Sequence, residues 1–90
     1  MYTQDKIIKG GEITASGKFS INGFPFYLFI TPKADTAASS IVVNAKLAYN
    51  DAPTDFPLIS GVWNPVVFNE VEISEANLAD YRIFWGQEGI

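Results

Sequence analysis

The chain has 90 residues, of which 48% are hydrophobic and 18% charged, with a net charge of −4 and neither cysteine nor histidine. A chain of this length forms one domain with a thin core, and its negative charge opposes contact with the phosphates of nucleic acids. The lack of cysteine and histidine excludes disulfide frameworks, zinc sites built on those residues, and catalysis by Ser-His-Asp or Cys-His groups.

The first third of the chain has the pattern of short strands separated by turns. Residues 6–15 predict a first strand that is broken at Gly10-Gly11, where a strand can bend or bulge. Asn22-Gly23 is the pair best suited to a two-residue type I′ turn, so residues 18–21 and 24–30 are predicted to form a β-hairpin.

The second arm of this hairpin is apolar on both faces. One face is formed by four large side chains: Phe24, Phe26, Leu28 and Ile30. The other face carries Tyr27 and Phe29. Either a loop or the opposite sheet covers this second face, or Tyr27 and Phe29 contact a neighbouring subunit.

An amphipathic strand lies between two predicted loops in the middle of the chain. Residues 31–40 and 50–55 are rich in small, polar and turn-forming residues and predict surface loops. Residues 40–49 alternate and predict a half-buried strand. Its inward-facing side chains are Ile41, Val43, Ala45, Leu47 and Tyr49.

The last third predicts an extended piece over residues 56–59, followed by a strand over residues 66–74. In that strand the inward-facing side chains are Val67, Val71 and Ile73. Strict alternation places Phe68 on the opposite face with Glu70 and Glu72, so we expect Phe68 to be exposed or in an interface.

The end of the chain predicts one helical turn and a final strand. Ser74 is a suitable N-cap for a turn over residues 75–79. Residues 81–85 then form the last strand, which we expect to end at Gly86.

These pieces amount to about six or seven short strands with at most one helical turn. The pattern is typical of a small antiparallel β-sandwich or a jelly-roll-like barrel, and periodicity does not choose between the two. We expect residues 1–90 to form a single β domain. Residues 1–5 and 87–90 are expected to be extended arms that add strands to neighbours.

The remaining catalytic option is a carboxylate pair, because Glu70 and Glu72 share a strand face at a spacing of about 7 Å. Two glutamates on an exposed face are more often ordinary surface residues. Asp51 and Asp55 lack the spacing of a calcium loop and are typical turn formers. We therefore predict no catalytic residue, no cofactor and no metal ligand.

The tryptophans allow a second interpretation. Trp63 and Trp85 are suited to form an aromatic platform for a sugar ring, as in carbohydrate-binding β-sandwich modules. Such residues more often fill a core or an interface. The surplus of apolar residues over what a thin core needs favours contact with other chains.

The chain start shows neither the basic segment nor the apolar run of a signal peptide. No apolar stretch reaches the roughly 18 residues that span a membrane. We therefore expect no secretion signal and no membrane contact.

Three segments carry a resemblance to a known group of proteins: residues 56–65 (FPLISGVWNP), 70–74 (EVEIS) and 79–86 (ADYRIFWG). With their short strands, small polar loops, few charges and lack of cysteine, they resemble the small β-structured virion proteins of tailed bacteriophages. The resemblance implies a non-enzymatic structural protein, made in the host cytoplasm and carried in the virion.

Such a protein acts as a capsid decoration, auxiliary, head-fibre or tail-associated component. It contacts further copies of itself and other virion proteins such as a major capsid protein. The candidate interface residues are Tyr27, Phe29, Phe68 and Phe84. The alternative is a carbohydrate- or receptor-binding β-sandwich module that uses Trp63 and Trp85.

Overall fold

The computed structural model describes residues 7–21, 24–34, 39–48 and 50–88. Within these residues, in chain order, the elements are β1 (Ile7–Ile13), β2 (Gly17–Phe19), β3 (Tyr27–Pro32), β4 (Ser40–Leu47), β5 (Asn50–Ile59), β6 (Phe68–Ile73), α1 (Glu75–Asp80) and β7 (Tyr81–Glu88). The fold is all-β, as predicted.

The described strands form two open antiparallel sheets. One has the strand order β1-β7-β3 and the other the order β2-β6-β4-β5; we call them the three-stranded and the four-stranded sheet. The architecture is therefore a small sandwich and not a closed barrel.

The core lies between the inner faces of the two sheets, where alternate residues of each strand meet. Among the described residues, twelve hydrophobic side chains are buried: Ile13, Phe26, Leu28, Ile30, Val43, Ala45, Leu58, Phe68, Val71, Ile73, Tyr81 and Ile83. The alternation predicted for β4 is confirmed, since Val43 and Ala45 are buried while Val42 is 64% exposed. Tyr49, predicted to face inward, lies outside the described residues.

Asn64 joins the two sheets, and it is the one buried polar residue in the described part of the chain. Its Oδ1 accepts a hydrogen bond from the Ile59 amide at 2.9 Å, and its Nδ2 donates to the Leu28 and Ile59 carbonyls at 3.2 and 3.3 Å. Because Ile59 ends β5 and Leu28 lies in β3, one side chain connects the edge strand of each sheet.

Phe68 is fully buried, so the prediction that its side chain is exposed is wrong. The reason is a β-bulge. Lys46 pairs with Glu70, but the next residue of β4, Leu47, pairs with Phe68. Because β6 has one extra residue at Asn69, the Phe68 side chain points to the same buried face as Val71.

The predicted hairpin at Asn22-Gly23 does not extend beyond its turn. Ile21 and Phe24 form an isolated bridge, with the Phe24 amide donating to the Ile21 carbonyl at 2.6 Å; the two turn residues lie outside the described residues. Beyond this bridge the arms separate, because β2 joins the four-stranded sheet and β3 the three-stranded one. Phe24, predicted to share a face with Phe26, Leu28 and Ile30, is 64% exposed, whereas those three side chains are buried.

The prediction that residues 50–55 form a loop is wrong, since these residues belong to β5. β5 lies at the edge of its sheet. An edge strand tolerates prolines such as Pro53 and Pro57, because one of its sides needs no backbone donors. The first predicted loop is shorter than expected: Thr31 and Pro32 belong to β3, and residues 35–38 lie outside the described residues.

The chain ends of the described fold differ from expectation in two places. β1 runs through Gly10-Gly11 without a break, and its irregularity lies between Ile7 and Lys9. β7 continues past Gly86, so that Gln87 and Glu88, assigned above to an arm, pair with β1. Residues 1–5, the other predicted arm, and residues 89–90 lie outside the described part.

The short helix is confirmed, together with its cap. Ser74 precedes α1, its Oγ accepts a hydrogen bond from the Asn77 amide at 3.0 Å, and the Asn77 side chain accepts one from the Ser74 amide at 3.3 Å. This reciprocal arrangement is a capping box. It lets a helix of six residues form against the end of the sandwich.

Candidate functional site

The outer face of the three-stranded sheet carries aromatic side chains in mutual contact. Leu28, Ile30 and Ile83 point into the core, so the residues between them point outward. Phe29 and Phe84 stand directly opposite each other in the β3–β7 register, with ring centroids 6.3 Å apart. Both rings are half-buried.

A third ring reaches this face from a turn. The segment Ser60–Asn64 runs along the free edge of β3, where the Gly61 amide donates to the Ile30 carbonyl at 2.9 Å. Gly61 adopts a φ of +84°, which glycine tolerates without strain. Trp63 is thereby placed against Phe29, with ring centroids 5.4 Å apart.

An ion pair borders the rings. Arg82 Nε and Nη2 donate to the two carboxylate oxygens of Glu12, each at 3.1 Å, and the guanidinium lies 5.2 Å from the centre of the Phe84 ring. The Arg82 hydrogen bonds hold the pKa of the Glu12 carboxyl below its usual value. Because the Arg82 side chain is 56% exposed, solvent screens the pair, and its effect is mainly to orient both groups.

We call the surface formed by Phe29, Trp63, Phe84, Glu12 and Arg82 the aromatic face. A cleft of about 400 Å³ opens in it, lined by Gly10, Gly11, Glu12, Phe29, Trp63, Phe84 and Trp85. The glycines leave one wall of this cleft without side chains.

Trp85 borders the cleft from the other side of β7. It packs against the core, and its ring lies 6.1 Å from that of Phe19 in the opposite sheet. A Cβ atom on Gly11 would come within 3.0 Å of the Trp85 Nε1 atom. A side chain at position 11 would therefore require the Trp85 ring to shift by a few tenths of an ångström.

The structure brings together most of the aromatic residues that the sequence predicted as functional. Phe29 and Phe84, two predicted interface residues, lie beside Trp63 and Trp85, the predicted sugar platform. Tyr27 is half-buried and lines a separate depression.

Phe68, the fourth predicted interface residue, is buried beneath the opposite sheet. Its ring lies 5.5 Å from that of Phe56 and 6.3 Å from that of Phe26. It therefore contributes to the core and not to a surface.

No local pattern indicated the ion pair, because Glu12 and Arg82 are 70 residues apart. A second surface was also missed. Val42 and Pro57 are register partners on the outer face of the four-stranded sheet, and Ile59 lies two residues further along β5. Val42 is 64% and Ile59 54% exposed, and we call these three residues the apolar edge patch. The apolar residues at outward-facing positions of two neighbouring strands could have indicated this patch from the sequence.

Most of the rest of that outer face is polar. Lys46 lies 3.8 Å from Glu70, Lys18 is the register partner of Glu72, and the Asn44 side chain donates to Asp55 at 3.3 Å. Glu70 and Glu72, considered above as a carboxylate pair, thus belong to a charged strand surface. The side chain of Asp51 lies outside the described part.

Among the described residues, no group of three or more acidic side chains is arranged to hold a metal ion, and no helix has the length and apolarity needed to cross a membrane. Comparison with known protein families, with curated proteins and with solved structures finds no match for this chain.

Proposed function

We propose that the protein is a non-enzymatic structural component of a tailed-phage virion, a capsid decoration, auxiliary or head-fibre protein that works by assembling with other subunits. The observation that carries the proposal is the aromatic face: three rings in contact on the outside of a sheet whose inner face already forms the core. A sheet face of this composition is ordinarily covered by another layer.

The aromatic face is smaller than one side of a stable pairwise interface. Three strands spaced about 4.8 Å apart and seven residues long at about 3.3 Å each give roughly 14 by 23 Å, or about 330 Å². A stable pairwise interface buries about 800 Å² on each partner. One contact through this face is thus weak, and it becomes stable when several form together, as in a shell or ring.

The sequence resemblance supplies the kind of assembly. Short strands, small polar loops and few charges in residues 56–65, 70–74 and 79–86 resemble those of small virion proteins of tailed phages. In such a particle a subunit is held at high local concentration next to its neighbours. At such a local concentration, a contact of about 330 Å² is stable.

Association in solution tests the first part of the proposal. Sedimentation velocity over a wide concentration range is expected to show reversible self-association of the wild-type chain, which Phe84→Ser weakens at least tenfold. Phe24→Ser is the matched control, because it removes a ring that is 64% exposed but lies outside the aromatic face. Equal behaviour of both variants would contradict a role for the aromatic face.

The virion assignment has its own test. Particles banded in a density gradient from a lysate of the host that carries the gene are expected to contain the chain at a fixed ratio to the major capsid protein. If the chain stays entirely in the unbanded fraction, the assignment to a virion is wrong.

One observation favours a second candidate, a carbohydrate-binding module. Trp63 and Trp85 line the same cleft as the Glu12 carboxylate, which offers a sugar an aromatic wall and a hydrogen-bond acceptor. Tryptophan fluorescence titrated with a panel of neutral oligosaccharides tests it. A saturable change that Trp63→Ala abolishes supports this candidate, and an unchanged signal across the panel removes it.

A further inference from the structure

We infer that two copies of this chain pair through the free edge of β1, antiparallel and about a two-fold axis at Gly11. Their three-stranded sheets then join into one sheet of six strands. β1 pairs with β7 on one side, and no other described strand pairs with it. The inference rests on the proposed function, because it adds a second contact between copies of an assembly protein. The two contacts use different parts of the molecule and are therefore separable by experiment.

The other sheet edges in the described part of the chain are short, blocked or covered. β2 has only three residues. β5 contains Pro53 and Pro57, which lack the backbone N–H that strand pairing needs. The free edge of β3 is covered by residues 60–64, where the Gly61 amide donates to the Ile30 carbonyl at 2.9 Å. Of the described edges, β1 alone offers several residues of unpaired backbone groups, which are a template for another strand.

The sequence of β1 selects a register for pairing with its own copy. The irregularity of the β1–β7 register lies before Lys9, so residues 9–13 form the regular part of the strand. A two-fold axis perpendicular to the sheet places one residue opposite its own copy and pairs the others symmetrically around it. With the axis at Gly11, every residue of the regular part has a partner. The pairs between the two copies are Gly11 with Gly11, Lys9 with Ile13, and Gly10 with Glu12.

The other axis positions along this segment are less favourable. An axis at Glu12 would place two carboxylates directly opposite each other, and an axis at Lys9 two ammonium groups. Like charges at directly opposite positions destabilise a strand pair. An axis at Gly10 or Ile13 would pair part of the segment with residues outside its regular part. Gly11 is therefore the axis position that uses the whole regular segment without opposing like charges.

Pairing of this kind enlarges the aromatic face. The outer faces of both sheets point the same way, because the axis is perpendicular to the joined sheet. Two faces of about 330 Å² become one surface of roughly 660 Å², close to the about 800 Å² that one side of a stable interface buries. Each Glu12 carboxylate stays paired with its own Arg82, opposite Gly10 of the second copy, which has no side chain to displace it. The dimer thus supplies most of the area that a stable contact with a further subunit needs.

Cysteine cross-linking tests the register, because the chain has no cysteine of its own. Opposite residues of an antiparallel pair have Cα atoms about 4.5–5.5 Å apart, within the reach of a disulfide. Under mild oxidation, an equal mixture of Gly10→Cys and Glu12→Cys is expected to give mainly the heterodimer. Each variant alone is expected to link several-fold less, since its two cysteines lie diagonally, about 7–8 Å apart. The variants differ in mass, so mass spectrometry separates the heterodimer from both homodimers.

Three outcomes overturn the inference. If Gly10→Cys links mainly to itself, the axis lies at Gly10, and if Glu12→Cys links mainly to itself, it lies at Glu12. The matched control is a mixture of Gly10→Cys with Val42→Cys, because Val42 is 64% exposed but lies on the other sheet. A heterodimer yield no higher than in this control means that the β1 edges meet only by collision.

The same variants separate a failure of this inference from a failure of the proposed function. Adding Phe84→Ser to both cysteine variants is expected to leave the yield unchanged, because that ring lies on the face of β7 and not at the edge of β1. Cross-links that vanish with Phe84→Ser would show that the aromatic face alone brings the copies together. If the β1 cross-links are absent while the wild type still associates through the aromatic face, the proposed function stands and the inference fails.

Amide hydrogen exchange of the unmodified chain gives a second measure, which no substitution can disturb. The amides of residues 9–13 that point to the free edge are expected to exchange several-fold more slowly at high protein concentration than at low. The reason is that pairing with a second copy gives these amides hydrogen-bond partners and removes them from water. Exchange at these amides that does not depend on concentration would contradict pairing through β1.

Discussion

Replacing Asn64 with alanine tests how strongly its side chain connects the two sheets. The Asn64 side chain makes three hydrogen bonds to backbone groups of Ile59 and Leu28, at 2.9, 3.2 and 3.3 Å, and it is only 2% exposed. Alanine removes all three bonds at once. The Ile59 amide then loses its partner in a site that water reaches poorly.

The expected cost follows from these contacts. Each hydrogen bond contributes about 0.5–1.5 kcal/mol, and a buried group left without a partner costs about 1–3 kcal/mol. For Asn64→Ala the two lost bonds to carbonyls (about 1–3 kcal/mol) and the unpaired Ile59 amide (about 1–3 kcal/mol) together give an expected loss of about 2–6 kcal/mol in the free energy of unfolding. Since a domain of this size has a total of roughly 5–13 kcal/mol, a large part of the stability is at stake.

Urea unfolding followed by circular dichroism measures this loss. The matched control is Asn69→Ala, which removes one weaker hydrogen bond, from Nδ2 to the Ala48 carbonyl at 3.4 Å. That control is expected to cost less than about 1 kcal/mol. Equal losses for the two variants would refute the view that Asn64 connects the sheets.

Three further predictions concern the core, the ion pair and the helix cap. Phe68→Ala is expected to cost about 3–5 kcal/mol in urea unfolding because it leaves a cavity, whereas Phe24→Ala costs much less; similar losses would show that Phe68 is not a core residue. In Arg82→Gln the pKa of Glu12, followed by carboxyl NMR titration, is expected to rise toward its ordinary value of 4.5. Because the folded pKa is lowered, the stabilisation from this pair is present at neutral pH and is lost as the pH falls through that pKa; an unchanged pKa would contradict the geometry. Ser74→Ala is expected to cost about 0.5–2 kcal/mol through the lost cap, and no change in unfolding would show that the cap contributes nothing.

Features set by neighbouring residues were predictable from the sequence. The alternation of β4 needs only the period of a strand, and the Ser74 cap needs only the residues of the first helical turn. The two-sided apolar pattern of residues 24–30 likewise indicated Phe29 as an outward aromatic residue, and the structure places it there.

Features that depend on register or on distant partners were not predictable. The bulge at Asn69 reverses the face of Phe68, and no local pattern marks it. The Asn22-Gly23 turn correctly favoured a close return of the chain, but the choice of sheet for each arm is made by β6 and β7, which come far later. Residues 50–55 have turn-forming side chains, yet pairing with β4 at a sheet edge overrides that preference.

The central strand β7 contributes to the core through one face and to the aromatic face through the other. Its inward residue Ile83 is fully buried, while its outward neighbour Phe84 contacts Phe29 and Arg82 on the surface. Ile83→Ala is therefore expected to cost about 2–5 kcal/mol of unfolding free energy without a direct effect on association. Phe84→Ser is expected to cost only about 1 kcal/mol, the size of one aromatic pair, while weakening association strongly. If Phe84→Ser destabilises the monomer as much as Ile83→Ala does, the aromatic face is part of the fold itself, and the argument that it serves a partner fails.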